Sequence, residues 1–176
     1  MNREEYWRES VKFHGHSCPG LAIGVRVALD CREDMMLPSR AEDEEIAAIV
    51  ETDACGVDGI QVVLGCTAGK GNLWVRRRGK HVFTIYNRAT GEGWRYSWLG
   101  LVEKYADHEA RTEFFLSAPK DVLYRVEPAR WPLPLMAAIY PSIHCGQCGE
   151  KTAEPGLRVR DGKMICLDCA GPGPDF

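Results

Sequence analysis

His81-Val82-Phe83-Thr84-Ile85-Tyr86, then Thr90-Gly91-Glu92-Gly93, then Trp94-Arg95-Tyr96-Ser97-Trp98-Leu99, is the stretch that decides the fold. The first run alternates, with Phe83 and Ile85 on one face, as a half-buried strand does. The glycine-rich turn returns the chain into a second strand, and the two form a hairpin. Helical patterns lie on both sides of it, in irregular alternation with strands. A doubly wound sheet would need a helix between successive strands. The pattern therefore predicts an α+β core with a mixed or antiparallel sheet.

Upstream, Gly65–Asn72 reads as a glycine-rich loop, preceded by a helix capped by Asp53 with Val57, Ile60, Val63 and Leu64 inward. Glu45–Glu51 reads as a buried strand, although its alanines also permit a helix. Before it, Ser17 suits an N-cap and Pro19 a first helical turn. Leu21, Ala22, Val25, Ala28 and Leu29 then mark one face of a helix to about Met35, closed by Pro38. Gly20 and Gly24 on that helix permit a close backbone approach, and Cys31 falls in its core. Arg3–Phe13 is a short amphipathic helix ended by Gly15. Downstream, Glu103–Leu116 reads as a helix and Val122–Val126 as a strand. Four prolines between Pro128 and Pro141 mark a linker or wrapping segment. The chain divides into a core of residues 1–135 and a cysteine module of residues 136–176, with a frayed tail from Gly171 to Phe176.

A net charge of −3 over 176 residues argues against general attraction to nucleic acid or anionic membranes. Acids in Met1–Trp7 and the lack of a long apolar run point to a cytoplasmic protein without a membrane span. In that compartment the eight cysteines read as metal ligands or reactive thiols before disulfides.

Cys145-Gly146-Gln147-Cys148-Gly149 and Cys166-Leu167-Asp168-Cys169 are two Cys-x-x-Cys pairs. Between them, Asp161-Gly162 is a hairpin turn signal that folds the second pair back onto the first. The spacing predicts a structural zinc with four thiolate ligands and no open position. A rubredoxin-like iron site shares the knuckle; Ala170 after the second pair and few aromatic residues argue against it.

His14-Gly15-His16-Ser17-Cys18-Pro19-Gly20 puts histidines and a cysteine at one helix start, where N–H groups and the helix dipole favour a thiolate. Asp53-Ala54-Cys55-Gly56-Val57-Asp58-Gly59 puts Cys55 at a second. His16, Cys18 and Cys55 are the candidate ligands of a second transition metal in the core, with Cys66 or His14 completing the set; zinc, iron or nickel suits mixed N/S donors. An anion pocket at the two helix starts, or simple packing, are the alternatives. His81, His108 and His144 read as ordinary surface or core residues. Gly65-Cys66-Thr67-Ala68-Gly69-Lys70-Gly71 is not a P-loop, because Gly71 stands where Ser or Thr would hold magnesium. Lys70 is a candidate anion contact, beside the basic cluster Arg76-Arg77-Arg78-Gly79-Lys80.

Phe13-His14-Gly15-His16-Ser17-Cys18-Pro19-Gly20-Leu21-Ala22-Ile23-Gly24 resembles the signature of the formylmethanofuran dehydrogenase E-subunit family. Asp53–Gln61 with Gly65–Leu73, the hairpin at Phe83–Arg88 and the four-cysteine finger resemble the rest of it. The resemblance implies an α+β core, a treble-clef-like zinc finger and a homodimer. With so few residues after Cys169, the helix that ends a treble clef must be short or absent. The parent enzyme fixes carbon dioxide onto methanofuran with a molybdenum or tungsten pterin and iron–sulfur clusters. This sequence has no room for that apparatus, so the resemblance implies an accessory protein or a relative with separate work.

Two functions follow. One is a metal-binding protein with a redox or one-carbon role at the His/Cys site, acting on a small anionic substrate or with a protein partner. The other is a non-enzymatic module that engages nucleic acid or protein through the finger and Arg76–Arg78; nucleic acid is disfavoured by the charge.

Overall fold

The computed structural model describes residues 1–37, 40–100 and 107–171. Pro38, residues 103–106 of the expected fourth helix and the tail 172–176 lie outside the described residues. The chain folds as two units, Met1–Ala137 and Ala138–Phe176.

The first unit begins with helices α1 (Arg3–His14) and α2 (Pro19–Asp34), followed by strand β1 (Ile46–Val50), helix α3 (Gly56–Leu64) and strand β2 (Leu73–Val75). The hairpin strands β3 (Val82–Asn87) and β4 (Gly93–Trp98), helices α4 (His108–Ser117) and α5 (Lys120–Leu123), and strand β5 (Tyr124–Pro128) complete it. The sheet order is β2-β1-β3-β4-β5. Only β1 and β2 run parallel, and the other pairs are antiparallel. The architecture is α+β with a mixed sheet.

Every residue of β1 is buried, and alternation divides them between two faces. Ile46, Ala48 and Val50 join the main core with α2 and α3, whereas Ala47 and Ile49 join Tyr86, Trp74, Ala129 and Leu133 on the other face. The proline-rich segment covers that second face. The Tyr86 hydroxyl donates to the Trp131 carbonyl at 2.8 Å, Arg88 donates to the Pro134 carbonyl at 2.7 Å, and the Ala137 N–H donates to Glu44 at 2.9 Å. Prolines cost this segment regular structure, and side chains from β3 and the turn after it satisfy its carbonyls instead.

Helices α2 and α3 approach through glycine. A Cβ on Gly24 would stand 1.9 Å from the Gly56 carbonyl oxygen, and one on Gly59 would stand 2.4 Å from the Val25 nitrogen. Inside the fold, Asp30 is 3% exposed and accepts from Arg3 at 2.8 Å, from Arg26 at 2.9 Å and from the Tyr124 hydroxyl. The charge is tolerable in that setting because several donors satisfy it.

Two local readings are corrected and one strand is added. The N-cap of α2 is Cys18 rather than Ser17, with its sulfur accepting from the Leu21 N–H at 3.3 Å. Asp53 does not cap α3, which starts after Cys55; Asp53 instead pairs with Arg77 at 3.0 Å. Leu73–Val75, between the loop and the arginines of the basic cluster and given no element in the sequence reading, is an edge strand, because β1 offers it a parallel partner.

The second unit holds β6 (Ser142–His144) paired with β7 (Lys151–Ala153), and β8 (Leu157–Arg160) paired with β9 (Lys163–Cys166). Asp161 and Gly162 turn the latter hairpin with φ of 48° and 73°, the left-handed pair that Asp-Gly supplies most readily. Among the described residues no helix follows Cys169.

Candidate metal centres

In the second unit the knuckle turns between β6 and β7. Gly149, at φ 79°, lets its N–H reach the Cys145 carbonyl at 3.0 Å. Cys166 ends β9, so pairing of β8 and β9 returns the second pair to the first. The ligand atoms of Cys145, Cys148, Cys166 and Cys169 all lie within 4.8 Å of one another. The Cys148 and Cys166 sulfurs are 3.8 Å apart. Four sulfurs at ~2.3 Å from a zinc ion stand about 3.8 Å apart along a tetrahedron's edges. Backbone N–H groups of Cys166 and Gln147 point at the Cys145 sulfur from 3.3 and 3.4 Å. With the Cys148 N–H they bring its thiol down to about 6. The cluster has the spacing and polarity to hold a metal such as zinc.

The first unit gathers a second group where one helix ends and two begin. Gly15, at φ 95°, closes α1 and turns the chain so that His14 and His16 sit with ring centroids 4.5 Å apart. The ligand atoms of His14, His16 and Cys18 lie within 4.8 Å of one another. His14 Nδ1 is 2.7 Å from an Asp58 carboxylate oxygen, and its Nε2 is 3.7 Å from the Cys18 sulfur. Asp58, in the first turn of α3, is steadied through its other oxygen by Gln61 at 3.0 Å.

Cys55 joins the group from the start of α3. Its sulfur and that of Cys18 lie 3.6 and 4.0 Å from the point where a Cβ on Gly20 would stand. Burial pushes the Cys55 thiol up, and the neighbouring Cys18, with which it shares a hydrogen bond, pushes it further. Gly20 thus leaves both sulfurs room to share one space.

The other candidate residues go elsewhere. Cys66 lies beyond the far end of α3, a helix of 9 residues and so about 13 Å long. It is 0% exposed, its thiol donates to the Ile46 carbonyl at 3.5 Å, and burial holds it up at about 12. Lys70 donates to the Ala41 carbonyl at 2.9 Å. The loop around Lys70 is anchored by buried Asn72, whose amide donates to the Ile46 carbonyl at 2.9 Å and accepts from the Thr67 N–H at 2.8 Å. That loop does structural service. Cys31 is 0% exposed and bonded to Met35 sulfur, as a core position. His144 Nδ1 donates to the Gly149 carbonyl at 2.9 Å, which ties it to the knuckle. Asp58 was not among the candidate ligands or their supports. Its place three residues after Cys55, in a first helical turn, was the available signal.

The family model described as "FmdE, Molybdenum formylmethanofuran dehydrogenase operon" matches residues 13–124. A "Probable S-adenosyl-L-methionine-binding protein" of Archaeoglobus fulgidus is 32% identical over 191 residues, covering 91% of this chain and 51% of the relative. The chain thus spans about half the length of that curated relative. A solved structure, a tungsten formylmethanofuran dehydrogenase FmdE-like protein from Syntrophus aciditrophicus, superposes with a TM-score of 0.64 at 27% identity, covering 100% of this chain and 96% of that one. The matched residues contain His14, His16, Cys18, Cys55 and Asp58, the whole of the His/Cys group of the first unit, and the chain belongs to the FmdE family.

Proposed function

We propose that the protein is a metal-binding protein with two separate sites: a structural zinc on Cys145, Cys148, Cys166 and Cys169, and a transition metal on His14, His16, Cys18 and Cys55. The second site serves a redox or one-carbon reaction, or an accessory role to such chemistry. The observation that carries this reading is the convergence of two imidazoles and a thiol within 4.8 Å, with a second thiol hydrogen-bonded to the first. Mixed nitrogen and sulfur donors suit zinc, iron or nickel. Exposed His16 leaves a way in from solvent, and Asp58 orients His14. A metal there would supply Lewis-acid or electron-transfer chemistry. The protein's own share is to fix the donors, present Nε2 of His14 with its lone pair free, and keep Cys18 and Cys55 adjacent.

Elemental analysis of the purified chain tests the proposal. More than one metal per chain is expected. His16→Ala, Cys18→Ser and Cys55→Ser should each remove the core metal while the C-terminal zinc stays. Combining them should add little, since ligands of one ion fail together. A single metal per chain in the wild type, unchanged by these substitutions, ends the reading.

The reading places the protein in the cytoplasm as a homodimer. Leu135 and Met136, 87% and 60% exposed, support self-association, and light scattering of the eluted protein measures it. The Archaeoglobus relative's name motivates a second reading, S-adenosyl-L-methionine as ligand. Equilibrium dialysis with the labelled compound separates it from metal binding alone.

A further inference from the structure

Beyond β2 the chain runs past the end of β1, tied to it by backbone hydrogen bonds. The Arg76 N–H donates to the Val50 carbonyl at 2.7 Å, and the Arg78 and Lys80 N–H groups both donate to the Glu51 carbonyl, at 3.0 and 3.1 Å. Extended chain sends alternate side chains to opposite sides. Arg76 and Arg78 accordingly share one side while Arg77 turns away to Asp53, and the bend at Gly79, φ 64°, keeps Lys80 with them, so that all three line one cavity. Two cavities of ≈ 400 and ≈ 200 Å³ share Lys80, Arg95 and Arg130, and Arg125 from β5 lines the larger.

Six cations thus meet two carboxylates, Glu51 and Glu127, in a protein whose net charge is −3. The carboxylates are engaged. Arg95, 5% exposed, pairs with Glu51 at 3.0 Å and with Glu127 at 3.7 Å, and Arg130 pairs with Glu127 at 3.1 Å. Arg76, Arg78, Lys80 and Arg125 have no carboxylate partner among the described residues. Arg76 lies over the Trp131 ring, 4.0 Å from its centroid, which holds the guanidinium in place. His81 adds a buried Nδ1 with no hydrogen-bond partner at the wall of the larger cavity.

Unpaired cations converging on a concave space repel one another, and an anion there relieves that repulsion. Guanidinium groups present paired donors that match phosphate oxygens. We propose that these two cavities, joined by Lys80, Arg95 and Arg130, together bind a small phosphorylated ligand carrying at least two phosphate groups. The cations rise from the 76–80 segment, from strands β4 and β5 and from Arg130 just beyond β5, and close on two cavities joined by the shared Lys80, Arg95 and Arg130. A nucleic-acid strand would instead need a groove that tracks its backbone past the cavity. The site uses none of the metal-site residues, so the two proposals stand or fall separately.

The probe is inorganic pyrophosphate, titrated calorimetrically into the full-length protein at low salt, with a short oligothymidylate as the second arm. Saturable binding of one pyrophosphate per chain is expected. The pair Arg78→Ala and Lys80→Ala, and separately Arg125→Ala, should weaken it about tenfold or more, whereas Arg8→Ala should leave it unchanged. Arg78, Lys80 and Arg125 are exposed, and the 76–80 segment is held by its backbone, so truncation leaves the fold standing. On the wild type, pyrophosphate should also slow phenylglyoxal modification of Arg78 and Arg125 but not of Arg8. Equal binding by wild type and variants, no saturation together with no protection, or tighter binding of the oligothymidylate than of pyrophosphate would each overturn the proposal.

Discussion

His14, the last residue of α1, and Asp58, in the first turn of α3, meet at 2.7 Å across 44 residues of sequence. When Nδ1 donates to that carboxylate, Nε2 of the neutral ring keeps its lone pair and faces Cys18. Carboxylates behind metal-binding histidines act in this way, fixing the tautomer and raising the donor's basicity.

Asp58→Asn should therefore weaken the core site without emptying the fold. The expected loss in metal affinity is about 10–100-fold, read by competition with a chromogenic chelator. The melting temperature of the metal-free protein should move little, because Asp58 is a partly exposed side chain. Unchanged affinity would show that His14 is not a ligand or needs no support.

With the proposed zinc in place, Cys148→Ser or Cys166→Ser should release about one zinc per chain and melt the second unit, because structural zinc contributes roughly 10 kcal/mol to the folding of such modules. The first unit should keep its melting transition, since its core is built from its own helices and sheet. Circular dichroism alongside zinc analysis reads both. Loss of all structure in either variant would contradict independent folding. In the wild type, acid should release this zinc, because protons compete for the thiolates.

Thiol labelling should divide the four cysteines of the first unit into two classes. Cys18 and Cys55 are partly exposed, whereas Cys31 and Cys66 are 0% exposed. Iodoacetamide on the metal-free native protein should alkylate the first two and spare the second two until denaturant is added. Peptide mass spectrometry at several pH values measures the rates. Equal slow labelling of Cys18 and Cys31 would remove Cys18 from consideration as an accessible ligand.

Alkali should destabilise the fold through Cys66. Its thiol stays protonated up to about 12 in the fold, while an unfolded thiol ionises near ~8.5. Between those values the unfolded state holds fewer protons than the folded one, so stability falls as pH rises, by up to about 1.4 kcal/mol per pH unit. Cys66→Ser keeps a donor for the Ile46 carbonyl but does not titrate in this range. Its melting temperature should fall less steeply than the wild type's between pH 8.5 and 11. Parallel curves would refute this origin.

Much of the architecture was legible because helical periodicity is strong in α2 and α3, β1 is a short apolar run, and the glycine turn at Thr90–Gly93 joins the alternating β3 to β4. The short edge strand Leu73–Val75 was not, since three residues carry too little pattern and its partner is distant in sequence. The cap of α2 was misread by one position because Ser is the commoner capping residue, whereas here a sulfur takes the bond. The four-cysteine cluster could be read from spacing, because one local hairpin assembles it. In the first unit, spacing pointed to His16, Cys18 and Cys55 and rated His14 and Cys66 equally. Only the course of α3 separates those two, by putting Cys55 at one end and Cys66 past the other. Asp58 was hidden because its role depends on α1 ending where α3 begins.

The contact of Gly24 with Gly56 leaves no space for even one methyl group between α2 and α3. Both helices carry a thiol at the adjoining end, so the distance between Cys18 and Cys55 is set by backbone against backbone, with no side chain to act as a compressible spacer. An ion exchanging between two oxidation or ligation states there would find donors that move little, and most of the rearrangement would fall to solvent and to exposed His16. Such a frame lowers the reorganisation that accompanies each change of state. In the proposed site it would also make Gly24 and Gly56 determinants of reactivity, although neither offers an atom to a metal.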